Sequence, residues 1–146
     1  MPYVQRNEGG EITCRFANAQ PGYAEEWVGE NDIPVLVTDL TALIAGTRFD
    51  HEVAGTVVNG LSVSTDRTTQ SKLTGAALQA SRNSDYTVDW KLSDGSFVAL
   101  TSTAILALAD GISHYVQACY SREAVLLAAL SDGSFTEAML REGWPV

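Results

Sequence analysis

The sequence predicts an α+β fold, with an N-terminal β-hairpin region followed by a small domain of hairpins packed on helices and one long C-terminal helix. Three observations carry this expectation. The dipeptide Asn59-Gly60 and the triplet Ser93-Asp94-Gly95 are hairpin turn signals, each flanked by segments in which apolar residues alternate. From Thr101 to Leu130 the apolar residues instead recur at spacings of three and four, the period of a helix. The expected organisation is a β-rich element over residues 1–34, a connector over 35–55 and a hairpin-and-helix domain over 56–146.

The first element, YVQRNEGGEITCRFA, places two short strand-like segments on either side of Asn7-Glu8-Gly9-Gly10. Gly9 and Gly10 supply the positive φ of a tight connection, and Ile12, Cys14 and Phe16 fall on one alternating face. Pro21-Gly22 and an acidic cluster around Tyr23 and Trp27 read as an ordered loop or short strand. In the connector, VLVTDLTALIAGTRF is ambiguous in period; we read a helix from about Asp39 to Gly46, with a β-rich stretch from His51 onward. The second hairpin turns at Asn59-Gly60, with Val57, Leu61 and Val63 in its flanks.

Thr65 or Asp66 caps a helix over residues 67–81, with Leu73, Ala76, Ala77 and Ala80 at helical spacing. Val88, Trp90 and Leu92 share a face of the third hairpin, and Trp90, Phe97 and the long helix are expected to form the main core. The long helix is capped by Thr101 or Ser102. Its Gly111, unfavourable by up to about 1 kcal/mol against Ala, marks a close backbone approach or a slight kink. Ser131-Asp132-Gly133 stops the helix, and Ser134 to Glu137 has capping-box spacing before a short terminal helix.

Within the long helix, Ile105, Ala109, Ile112, Val116, Cys119, Glu123, Leu126 and Leu130 form an apolar seam interrupted only by Glu123. A surface of that length exceeds what so small a chain covers easily, so it points to assembly, either with further copies or with another protein. Glu123 either meets a basic side chain, such as Arg122 of a neighbouring helix, or lies where the helix end has emerged into solvent. The candidate partner-binding residues are Tyr23, Trp27, Val116, Tyr120, Glu123, Leu126, Leu127 and Leu130.

The chain has 146 residues, 45% apolar and 18% charged, which is globular composition, and its net charge of −9 argues against binding phosphate backbones. A secretory leader and a run of about 18 apolar residues are both missing, which favours a protein retained in cytoplasm and argues against a membrane role. Cys14 and Cys119, without CxxC spacing, read as reduced core residues. Little suggests catalysis. His114 falls opposite the seam with Asp110, Gln117 and Ser121, as on a solvated face, and His51 sits between carboxylates that a strand would point apart. The two SDGS segments carry one acid each, too few for calcium. No nucleotide, nucleophile-elbow or zinc motif occurs, and neither cofactor nor metal is expected. A glycan-degrading enzyme would need paired carboxylates such as Asp85 and Asp89, and that reading ranks last.

NGLSVSTDRTTQSKLTGAAL, then DYTVDWKLSDGSFVAL, then HYVQACYSREAVLLAAL, over roughly residues 56–131, resembles a small domain of undefined function that recurs in tail proteins of tailed bacteriophages. The elements carrying the resemblance are Gly60, Ser64-Thr65-Asp66-Arg67, Gln70, Gly75-Ala76, Trp90, Asp94-Gly95, Val116, Gln117 and Glu123. The opening segment, through PGYAEEWV, is similar to the start of phage tail-fibre assembly proteins. The resemblance implies a tail-fibre-associated protein that binds a fibre or other tail protein. It would act as an assembly chaperone in the host cytoplasm, or as a virion component of the tail, baseplate or fibre attachment. It brings no catalytic residues. The chain departs from its relatives in residues 36–55, which are short and apolar where relatives commonly carry a longer charged helix; this bears on how it oligomerises.

Overall fold

The computed structural model describes residues 3–10, 12–19, 21–22, 26–28 and 39–146. Its mixed α+β architecture matches the expected class, and the chain divides into two units at Asp39 and Leu40. Tyr23, residues 31–38 and the anticipated boundary at 34/35 lie outside the described residues.

In the first unit β1 (Tyr3–Arg6) lies between β2 (Ile12–Phe16) and β3 (Glu26–Trp27), antiparallel to both. The connection at Asn7 to Gly10 bends as a turn, with Gly10 at φ 82° closing a bond from its N–H to the Asn7 carbonyl. Val4, Ile12 and Val28 make a small apolar core. Cys14 is exposed, which corrects the expectation of a buried thiol. A bulge between Gln5 and Arg6 shifts the ladder here, so strict alternation does not carry the buried face from Ile12 along β2. Arg6 grips Glu26 with both Nε and Nη2, at 2.8 and 2.9 Å, and ties the outer strand to the centre.

The second unit opens with α1 (Leu40–Glu52), which runs six residues past the expected stop at Gly46. Its last turn buries Glu52 among donors from the rest of the unit, which outweighs the roughly 1 kcal/mol cost of an interior glycine. Residues 40–55 therefore belong with the C-terminal unit and do not form a separate connector. The hairpin of β4 (Thr56–Val58) and β5 (Leu61–Val63) turns at Asn59, φ 50°, and Gly60, φ 79°, the two left-handed positions of a type I′ turn. Next, α2 (Arg67–Arg82) is capped by Asp66, whose carboxylate accepts from the Thr69 N–H at 2.8 Å. The third hairpin pairs β6 (Thr87–Lys91) with β7 (Phe97–Thr101), and α3 (Ser102–Asp132) follows directly, capped by Thr101 and ended by Gly133 in the left-handed conformation. The terminal helix is a single 3-10 stretch, Glu137–Arg141, led by Thr136, where capping-box spacing pointed to Ser134.

The core of this unit joins Val63, Leu73, Ala76, Trp90, Leu100, Ile105, Leu108 and Ile112, with α3 packed on both α1 and α2. Trp90 sits there as expected, but Phe97 does not. On β7 the inward residues are Val98 and Leu100, which leaves Phe97 67% exposed on the outer face beside Lys91. Gly111 marks the anticipated close approach: a Cβ there would stand 2.5 Å from Val58 Cγ1. Both SDGS segments are turns in which Asp94 and Asp132 accept from the N–H and hydroxyl of Ser96 and Ser134. These bonds, from hydroxyl and main chain, hold both carboxyls below their ordinary range. Among the described residues, no helix is long and apolar enough to cross a membrane.

Candidate functional site

The C-terminal half of α3 meets α1 through a partly buried cluster of charge. Glu52, 1% exposed, ends α1 and receives three donors: the Arg48 guanidinium one turn earlier, Arg67 Nε at 3.3 Å from the start of α2, and Gln70 Nε2 at 3.2 Å. Arg48 also reaches Glu123 of α3, Nε to Oε2 at 3.0 Å. Burial alone would lower the Arg48 pKa, but the hydrogen bond it donates to Glu123 and the charges of Glu52 and Glu123 outweigh it, so the guanidinium titrates above its ordinary value. Its face also lies over Tyr120, 4.5 Å from the ring centre.

Local structure holds this cluster in place. The buried Thr65 hydroxyl donates to the Glu52 carbonyl at 2.6 Å and accepts from the Gly55 N–H at 2.9 Å, fixing the end of α1 to the residues that enter α2. Gln70 adds a bond to the Thr65 carbonyl at 2.7 Å. On the other side Tyr115 donates its hydroxyl to the His51 carbonyl at 2.6 Å. The His51 ring stacks on Trp144 with centroids 4.7 Å apart, so the residue belongs to a helix and an aromatic stack where a strand was anticipated. Burial pushes both the Tyr115 hydroxyl and the Cys119 thiol up in pKa, which leaves Cys119 a packed, poorly nucleophilic thiol.

Beside the cluster an open cleft of about 460 Å³ runs between α2 and α3. Leu73, Ala77 and Val116 contribute apolar surface, and Gln70, Ser113, Gln117 and Tyr120 contribute polar groups. Asp110, exposed, is the carboxylate that lines the cleft, whereas Glu52 and Glu123 of the adjoining cluster already accept charged donors. Among the described residues no three His, Cys, Asp or Glu side chains converge on a possible metal position.

The structure sorts the anticipated contact residues. Val116 and Tyr120 line the cleft, and Tyr120 is exposed. Leu127 and Leu130 are half-buried, and Trp27, in the first unit, is exposed. Leu126 is fully buried within the chain and cannot touch a partner, which corrects its place in that set. Glu123 does meet a basic side chain, but it is Arg48 of α1 in the same chain and not Arg122. The buried stripe of α3 is Ile105, Leu108, Ile112, Tyr115, Cys119, Leu126 and Ala129. It shares Ile105, Ile112, Cys119 and Leu126 with the predicted seam, but turns toward Leu108, Tyr115 and Ala129 where the seam had Ala109, Val116 and Leu130. Arg48, Glu52 and Arg67 escaped the sequence as a group. The four-residue step from Arg48 to Glu52 was the available signal, and it carries meaning only if residues 47–52 are helical.

The family model described as Domain of unknown function (DUF4376) matches residues 16–141. The chain belongs to that family. No match was found among curated proteins and none among solved structures. The DUF4376 match extends beyond residues 56–131 in both directions and takes in α1, so Arg48 and Glu52 fall inside it together with Arg67, Gln70 and Glu123.

Proposed function

We propose that this DUF4376 protein is a tail-fibre-associated protein of a tailed phage that works by binding, capturing fibre chains in the host cytoplasm and promoting their assembly. The observation that carries the reading is the cleft between α2 and α3, where Val116 and Tyr120 present apolar and aromatic surface braced by the Arg48 cluster. Tyr120, stacked under a paired guanidinium, is a rigid amphipathic contact of the kind that anchors protein interfaces at low entropic cost. Three of the sequence elements that resemble phage tail proteins, Gln70, Val116 and Gln117, line that cleft. The net charge of −9 supports a soluble carrier that resists nonspecific capture. Trp27, 54% exposed on the first unit, offers a second apolar contact.

Mass spectrometry of purified virions, combined with copurification from infected cells, tests the reading. A chaperone binds unassembled fibre and is missing from mature particles; stoichiometric presence in particles would sink it in favour of a structural tail component. A variant with Gln117→Arg, an exposed position on the cleft, should keep its fold and lose fibre capture. Unchanged capture by that variant would move the binding surface elsewhere.

A further inference from the structure

The third hairpin leaves one edge of β6 open. The Leu92 N–H donates to the Ser96 carbonyl at 2.8 Å, and residues of an antiparallel ladder alternate between turning their main-chain groups toward the partner strand and away from it. Val88, Trp90 and Leu92 therefore face β7, while Asp89, Lys91 and Ser93 face outward. At Ser93 the outward N–H is taken by the Ser62 carbonyl of β5 at 3.0 Å. Among the described residues β6 pairs with no strand besides β7, so the edge at Asp89 and Lys91 is uncovered. Alongside it runs an open groove of about 880 Å³ between β6 and α2. Gly75 of α2 lines this groove, and the space above it is open: nothing lies within 4 Å of where its Cβ would stand.

We infer that this edge is an interface between two copies of the chain, in which β6 of each adds antiparallel to β6 of the other and the two hairpins become one four-stranded sheet. Charge selects both occupant and register. Asp89 and Lys91 project from the same exposed face of β6, one pleat apart. When the two-fold axis passes through Trp90, each Asp89 stands opposite Lys91 of the second copy, and both pairs exchange outward main-chain bonds. Slipping the pairing by one pleat brings Asp89 against Asp89, or Lys91 against Lys91, and like charges directly opposite repel. Ser62, already seated at Ser93, stops the ladder at that end and opposes such a slip. A charged, short edge ordinarily discourages strand addition, but here the charges exclude the wrong registers and complement one. The outer face would then carry a row of Ala99, Asp89, Lys91 and Phe97 across both copies, which gives the exposed Phe97 a place beside a paired Lys91.

This inference does not rest on the fibre reading, because self-association and fibre capture are separate measurements. Sedimentation equilibrium of the full chain should return twice its 15.6 kDa mass. Asp89→Lys and Lys91→Asp, each made alone, should weaken dimerisation about tenfold or more by placing like charges in two symmetric pairs, and the double exchange should restore it. Both side chains are exposed, so circular dichroism should show an unchanged fold. A wild-type chain that stays at the mass of one copy overturns the inference and leaves the edge to an extended segment of another protein. Insensitivity to the single exchanges, or a double exchange that fails to restore the mass, overturns it equally.

Discussion

Individual side chains in this protein show how far residue type alone predicts environment. Asp66 was legible as a cap from its place before an amphipathic run, and its carboxylate accepts from Ser64 as well as Thr69. Glu52 was not legible, because an acid at the end of an ambiguous segment looks the same whether it meets solvent or three donors. Replacing Arg48 with Met should cost about 3–5 kcal/mol in a urea titration, since Glu52 and Glu123 both lose a charged partner in a site from which water is largely excluded. The two cysteines differ: Cys119 is fully buried and Cys14 is exposed, because residue type alone does not fix which face of a bulged strand is covered. In a thiol-reagent assay on the native protein Cys14 should react promptly and Cys119 only after unfolding; prompt reaction of both would contradict the packing of α3.

The elements follow local chemistry wherever the turn residue itself sets the geometry. Asn59-Gly60 and Gly95 take up the left-handed conformations their hairpins require, and the caps of α2 and α3 fall at anticipated positions. Two elements went otherwise. Helix α1 continues past Gly46 because its C-terminal turns bury Glu52 among donors from α2, an advantage that exists only after α2 is in place. The α3 stripe rotates toward Leu108, Tyr115 and Ala129, and a polar Tyr115 enters it because the His51 carbonyl satisfies its hydroxyl. Gly111→Ala should therefore lower stability by about 1–3 kcal/mol through its clash with Val58, although Ala is the better helix former; an increase in melting temperature would contradict the contact. Leu126→Ala should cost about 2–5 kcal/mol, as removal of a fully buried leucine side chain does, without serving as a test of any partner interface.

At the scale of the whole molecule, charge makes stability depend on pH in a definite direction. Hydrogen bonds from Ser64 and Thr69 lower the Asp66 pKa from the usual 3.8 to about 2. A group depressed on folding stabilises the folded state above its unfolded pKa and loses that contribution as pH falls toward the folded value. The urea midpoint should accordingly drop between about pH 4 and pH 2, and Asp66→Asn, which still caps a helix but does not titrate, should make that drop shallower. An unaltered slope would show that the acid sensitivity lies elsewhere.

By itself the sequence determined the α+β class, the three hairpins, the position of α2 and the length of α3, because turn geometry, capping and hydrophobic period act over a few residues and do not wait for the rest of the chain. It also drew together, by resemblance, several of the residues that border the cleft between α2 and α3. Only the tertiary structure decided which face of α3 is buried, that Glu123 pairs with Arg48, and that α1 belongs to the same unit as α2 and α3. Those outcomes depend on contacts between residues as far apart as Arg48 and Glu123, whose energy appears only when the intervening elements have packed.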